Sequence, residues 1–145
     1  MINHIYQNKE GLIWISTEDG LNCYDGAKFR VYREMVKDAV SSNFVSYTFE
    51  DSHKRLFIGT LDGVLLHNKA TGTFKKIPFN LHTNPHMNAH VTCIIERQNG
   101  DILVGTTSHG TFQVKAEGDS LYLKQDISLA PSLAINTLYE DRDKR

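Results

Sequence analysis

The chain has 145 residues, with 16 basic and 17 acidic side chains and a formal net charge of −1. That near-balance argues against a nucleic-acid binder, which needs a basic surplus on one face, and against a surface drawn to anionic membranes. A hydrophobic content of 40% is enough for a packed core, and no apolar run is long enough for a membrane-spanning helix.

From the N-terminus, Met1 is followed by Ile2-Asn3-His4 with no basic or apolar stretch, so no secretory signal peptide is read there. That absence carries little weight for a piece of a longer protein. The first segment reads as four short strands at roughly 3–7, 12–17, 20–25 and 28–33. Lys9-Glu10-Gly11, Glu18-Asp19-Gly20 and Asp25-Gly26 mark the turns between them. Asp-Gly between apolar runs is a strong hairpin signal. The second strand, Leu12-Ile13-Trp14-Ile15, is unbroken apolar sequence, which predicts a strand covered on both faces. The same run returns as Leu56-Phe57-Ile58 and as Ile102-Leu103-Val104.

A longer motif repeats around that run. Trp14-Ile15-Ser16-Thr17-Glu18-Asp19-Gly20-Leu21 aligns with Phe57-Ile58-Gly59-Thr60-Leu61-Asp62-Gly63-Val64. The third copy is Leu103-Val104-Gly105-Thr106, with one extra residue before Gly110. Thr17 and Thr60 are 43 residues apart, and Thr60 and Thr106 are 46 apart. Upstream, His4-Ile5-Tyr6-Gln7-Asn8 corresponds to Tyr47-Thr48-Phe49-Glu50-Asp51 and to Cys93-Ile94-Ile95-Glu96-Arg97. A further copy opens at Thr137-Leu138-Tyr139-Glu140-Asp141. The organisation read from this is a unit at 1–34, a second at 44–78, a third at 90–126, and the first strand of another at 135–145.

A four-stranded antiparallel sheet of about 40 residues has two apolar faces and cannot bury both alone. Stacking such sheets face to face buries both, and their twist fans the stack into a ring of about 4–8 members. The predicted fold class is therefore all-β: three four-stranded antiparallel β-propeller blades plus the first strand of a fourth, an incomplete ring. An ordinary sandwich is the alternative, but it does not demand one motif three times at even spacing. Ser16, Gly59 and Gly105 follow the apolar run, where a small residue lets the next blade approach closely. An open stack leaves an apolar face at each end. The chain is thus expected to form a homo-oligomer by packing or by strand exchange through 135–141.

The run from Gly11 through Trp14, Thr17, Gly20-Leu21 and Tyr24-Asp25-Gly26, followed by Phe29, resembles the two-component regulator propeller repeat. The second copy keeps the pattern with Phe57 in place of tryptophan, and the third has Leu103 there. The resemblance implies that the chain is a fragment of the periplasmic sensor region of a hybrid two-component histidine kinase. It also implies an oligosaccharide ligand, and catalysis only in domains outside this fragment.

Propeller geometry sorts the loops. Odd and even strands run oppositely, so the turns at 17–20, 60–63 and 106–110 share one face with the connections at 34–44, 78–90 and 127–134. Long loops on a rigid scaffold are where binding concentrates. The connection from Asn80 to His90 is rich in amides and imidazoles, which suit sugar hydroxyls as donors and acceptors. The candidate ligand-binding residues are Asn43, Asn84, His86, Asn88, His90 and His109, with a plain solvated loop as the alternative. Lys37 and Asp38 read as solvated surface. His82, His86 and His90 have metal-ligand spacing on a helix, but Pro85 breaks a helix through them, and neither a metal nor a cofactor is expected.

Cys23 and Cys93 lack a Cys-x-x-Cys partner and read as small buried apolar side chains. Trp14, inside the apolar run, reads as core and not as a stacking platform. Ser108 and His109 do not read as nucleophile and base, because neighbours on a turn rarely face each other correctly.

Three functions fit a propeller fragment: a sensor module, a protein-binding scaffold, or an enzyme such as a lyase or glycosidase. The enzyme would need paired carboxylates or a metal converging on a central channel, and no repeated polar position supplies them. The sensor is preferred on the resemblance, since fold alone does not give function.

Overall fold

The computed structural model describes residues 1–33, 43–79, 89–126 and 134–143. Its strands form three sheets of four. The first joins β1 (Ile2–Gln7), β2 (Ile13–Thr17), β3 (Gly20–Tyr24) and β4 (Phe29–Tyr32). The second joins β5 (Val45–Glu50), β6 (Leu56–Thr60), β7 (Gly63–Asn68) and β8 (Thr73–Ile77). The third joins β9 (Val91–Glu96), β10 (Ile102–Thr106), β11 (Thr111–Glu117) and β12 (Ser120–Gln125). Each strand pairs antiparallel with the next, and no strand is shared between sheets. These are propeller blades, each a closed meander of local hairpins.

The first hairpin of each blade is built alike. The amides of Asn8, Asp51 and Arg97 donate to the carbonyls of Leu12, Arg55 and Asp101 at 3.0, 3.0 and 2.8 Å. The third residue after each lies in the left-handed region: Gly11 at φ 87°, Lys54 at 61° and Gly100 at 92°. A lysine therefore occupies a position that glycine fills in the other two blades.

Burial follows from the stacking. Strands β6 and β10 are buried at every residue. Strand β2 alternates between half-buried and buried, with Trp14 and Ser16 on the covered side. The three strands are almost equally apolar, so the expectation of two covered faces holds for β6 and β10 and fails for β2. Nothing among the described residues lies against the second face of blade 1.

The core lies between blades and not within them. Trp14 and Leu21 of blade 1 meet Val45, Leu56, Ile58 and Leu65 of blade 2. Phe57, Val64 and Ile77 of blade 2 meet Val91, Ile94, Val104 and Phe112 of blade 3. Each fully buried side chain of this size contributes about 1.5–3 kcal/mol by leaving water. The small residues sit where blades come closest. A Cβ on Gly59 would lie 2.6 Å from Val91 Cγ1, and one on Gly105 would lie 2.8 Å from Ile135 Cγ2. Ser16 uses its hydroxyl there, with Oγ 2.7 Å from Thr48 Oγ1 of the next blade.

Two polar contacts repeat at each boundary. Near the start of the first strand, Asn3 Nδ2 donates to the Val45 carbonyl at 2.9 Å and Ser46 Oγ to that of Val91 at 2.5 Å; Thr92 Oγ1 donates likewise to the Ile135 carbonyl. Past its end, Asn8 Nδ2 donates to Glu50 Oε2 at 3.2 Å, the Ser52 amide to Glu96 Oε2 at 2.7 Å, and the Gln98 amide to Glu140 Oε1 at 2.6 Å.

These contacts place residues 134–141 against blade 3 as the opening strand of a further blade would lie, although the segment carries no strand assignment. A strand is defined by its ladder, and no described strand pairs with it. The segment also covers part of the face that the sequence reading leaves bare at this end, while its own Tyr139 is 82% exposed. Ile135 lies against Gly105, while Leu103 and Cys93 are buried. At the other end, Ile2, Ile5, Phe29 and Val31 are 58, 59, 64 and 49% exposed.

Candidate functional site

The turns between second and third strands share a clasp that the Thr-x-x-Gly motif encodes. Thr17 Oγ1 donates to the Gly20 carbonyl at 2.8 Å and accepts from the Asp19 amide at 3.1 Å. Thr60 does the same with Gly63 and Asp62, both at 3.0 Å. Thr106 spans the longer turn, donating to Gly110 at 2.8 Å and accepting from His109 at 3.0 Å. One hydroxyl thus satisfies two backbone groups at each reversal.

The described blade-to-blade connections meet these turns. The Gly20 amide donates to the Asn43 carbonyl at 2.7 Å, and the Thr107 amide to that of His90 at 3.0 Å. The His90 ring stands edge-on to Phe44, with centroids 5.6 Å apart. His109 presents its carbonyl to Gln125 Nε2 at 2.9 Å. Asn43 therefore stands at the blade 1 turn, and His90 and His109 at the blade 3 turn, on one face. Asn84, His86 and Asn88 lie outside the described residues, as do His82, Lys37 and Asp38. Burial holds His90 below the ordinary histidine pKa.

Ser108 and His109 do face each other, contrary to the sequence expectation. Ser108 Oγ lies 2.9 Å from His109 Nδ1. The Thr106 clasp fixes the His109 backbone so that a short local contact closes. The contact uses the nitrogen that a triad base gives to its orienting carboxylate, so it is a turn hydrogen bond. Among the described residues, no group of three or more His, Cys, Asp or Glu side chains is arranged to hold a metal ion. Both cysteines are free; Cys93 is buried and Cys23 half-buried. Burial raises both thiol pKa values, so neither is an activated nucleophile.

A second concavity, which the sequence did not reveal, opens between blades 1 and 2. It encloses about 440 Å³, with Trp14, Tyr32 and His67 as ring walls, Cys23 beside Trp14, and Arg30 and Lys69 at its mouth. The ring centroids of Trp14, Tyr32 and His67 are 6.0 to 6.2 Å apart in each pairing. Trp14 Nε1 and both ring nitrogens of His67 are buried without a hydrogen-bond partner, as is Glu50 Oε1. Lys69 Nζ reaches the other Glu50 oxygen at 3.3 Å. Burial holds His67 below its ordinary pKa, helped by the charges of Lys69 and Arg30, so the imidazole is neutral.

The fold and its loop face define an open array of propeller blades. No family profile matches the chain. Its structure is similar to the extracellular domain of BT3049, assigned as a hybrid two-component system of B. thetaiotaomicron, with a TM-score of 0.76 and 24% identity. That likeness covers 98% of this chain and 21% of the other. The extracellular domain of a second such system, BT4673, gives 0.73 and 24%, over 99% of this chain and 19% of that one. Virginiamycin B lyase of Staphylococcus aureus matches at 0.60 and 18%, over 87% and 41%. In sequence, 37 residues, 26% of this chain, are 46% identical to histidine kinase P4 of Formosa agariphila and cover 3% of it. The chain thus spans about a fifth of the two extracellular domains, and at these identities the structural likeness is one of fold.

Proposed function

We propose that this chain is part of the extracytoplasmic ligand-sensing propeller of a bacterial two-component signalling protein, probing oligosaccharides in the periplasm. The likeness to the BT3049 extracellular domain over 98% of the chain supports this reading most directly. The 37-residue similarity to a histidine kinase points the same way and comes from sequence alone. In this reading the fragment is non-catalytic, and kinase activity resides in domains beyond it.

Signal transmission would need a ligand that binds two arrangements of the sensor with different affinity. The loop face with Asn43, His90 and His109 offers amide and imidazole groups on a rigid scaffold. A protein-binding scaffold is the rival reading, and a lyase or glycosidase a further one.

The test is calorimetric titration of the intact sensor with a broad panel of oligosaccharides. Saturable heat with one class supports the reading, and no heat with any member removes the sugar from it. A coding sequence continuing into a membrane span and a kinase domain separates the sensor from the scaffold and the enzyme.

A further inference from the structure

We propose that the cleft between blades 1 and 2 is a binding site for one neutral sugar ring, separate from the loop face. Its position sets it apart. The loop face is built from turns, whereas this cleft is walled by strand residues Trp14, Tyr32 and His67. Its volume of about 440 Å³ falls within the range of small-molecule sites.

The chemistry of the walls selects the ligand. Tyr32 and His67, both half-buried, offer ring surface to the C–H face of a pyranose beside the largely covered Trp14, with the three centroids about 6 Å apart. The orphaned atoms on the lining residues are an obligate donor at Trp14 Nε1 and a donor and an acceptor on neutral His67. A hydroxyl both donates and accepts, so a polyol meets this mixed set where a purely acidic or basic ligand does not. An ammonium ligand entering the cleft would face Arg30 and Lys69. The lining carries both signs, Glu10 and Asp25 with Lys28, Arg30 and Lys69, and Lys69 is itself paired with Glu50 at 3.3 Å. His67 is half-buried and lines the cleft.

The proposal shares only the ligand class with the reading above, and the chain carries its own reporter. Trp14 is the single tryptophan, so its emission reads occupancy directly. The protein is titrated with neutral mono- and disaccharides while emission and heat are followed in parallel. Protection of Cys23 from alkylation gives a third readout that needs no variant. The expected result is a saturable emission change with the same midpoint as the heat, slower Cys23 labelling, and at least tenfold weaker binding in His67→Phe.

Heat without change in emission or labelling places the sugar elsewhere, overturning this site while leaving the loop-face reading standing. Silence in all three signals overturns this site, while the sensor reading still stands or falls with the oligosaccharide panel on the intact sensor. Binding restricted to acidic sugars and abolished by Arg30→Gln overturns the neutral ligand class. Unchanged affinity in a folded His67→Phe overturns the role of the imidazole and with it the site.

Discussion

Arg97 Nε donates to Glu140 Oε2 at 2.6 Å, joining blade 3 to the segment beyond it. The Glu140 side chain is 9% exposed and its other oxygen takes the Gln98 amide. Glu140→Ala is expected to cost about 1 kcal/mol, the value of a charge-assisted bond discounted for the partly exposed arginine. Hydrogen exchange should quicken at the amides of Gln98 and Ile135, the latter bonded to Thr106 at 2.8 Å. Unchanged exchange at both would show that the segment is held without the carboxylate.

Gly59 leaves no room for a side chain, since its Cβ would meet Val91 Cγ1 at 2.6 Å. Gly59→Ala should destabilise by about 1–3 kcal/mol through overpacking. Combining it with Val91→Ala should recover part of that loss, giving a coupling of at least about 0.5 kcal/mol in a double-mutant cycle. Simple additivity in urea unfolding would refute the close approach.

Lys54 sits at φ 61°, where Gly11 and Gly100 stand in the neighbouring blades. An L side chain in that region is strained by about 1–2 kcal/mol, part of which a glycine returns as unfolded-state entropy. Lys54→Gly should therefore stabilise the chain by about 0.5–1 kcal/mol. A fall in denaturation midpoint would contradict this.

Burial holds His4, His67 and His90 below the ordinary 6.5 of the unfolded chain. Between the folded and unfolded values, the unfolded chain binds the extra protons. Stability is thus full above about pH 6.5, falls as the pH drops below it, and levels off once the folded histidines titrate. Urea midpoints measured from pH 7.5 to 5 should fall, and less steeply in His67→Phe. A midpoint that rises toward acid would reverse the sign.

The outer face of blade 1, with Ile2, Ile5, Phe29 and Val31 exposed, is expected to drive self-association. Light scattering should show a concentration-dependent oligomer that Ile5→Lys with Val31→Lys disperses. A wild-type monomer at high concentration would end this expectation.

The sequence made the repeat legible because each copy meets the same demands at the same offsets. Thr17, Thr60 and Thr106 clasp one turn, and Ser16, Gly59 and Gly105 admit the next blade. Coverage was less legible: Ile13 and Ile15 read like Leu56 and Ile58, yet their burial depends on a neighbour that composition does not name. Lys54 gave no sign, since Ser52-His53-Lys54 lacks the glycine that marks a left-handed residue. Trp14, at 4% exposure, is core as its place inside the apolar run implies. The cleft beside it escaped notice because Trp14 and His67 are 53 positions apart and meet only through stacking. The Ser108 contact escaped as well, being set by a side-chain rotation that spacing cannot report. Of the loop-face candidates, Asn43, His90 and His109 fall on one side as propeller geometry required.

Both apolar clusters among the described residues are the joint property of two successive blades. The smallest piece with an interior is therefore a pair, and a lone blade keeps its ladder but has nothing inside. Gain or loss of paired strands in such an array is tolerable only by whole repeats, because a missing strand leaves half an interior on each side. The tolerant points for insertion are the exposed hairpin tips such as Thr71-Gly72, where an added Cβ on the glycine would meet nothing within 4 Å.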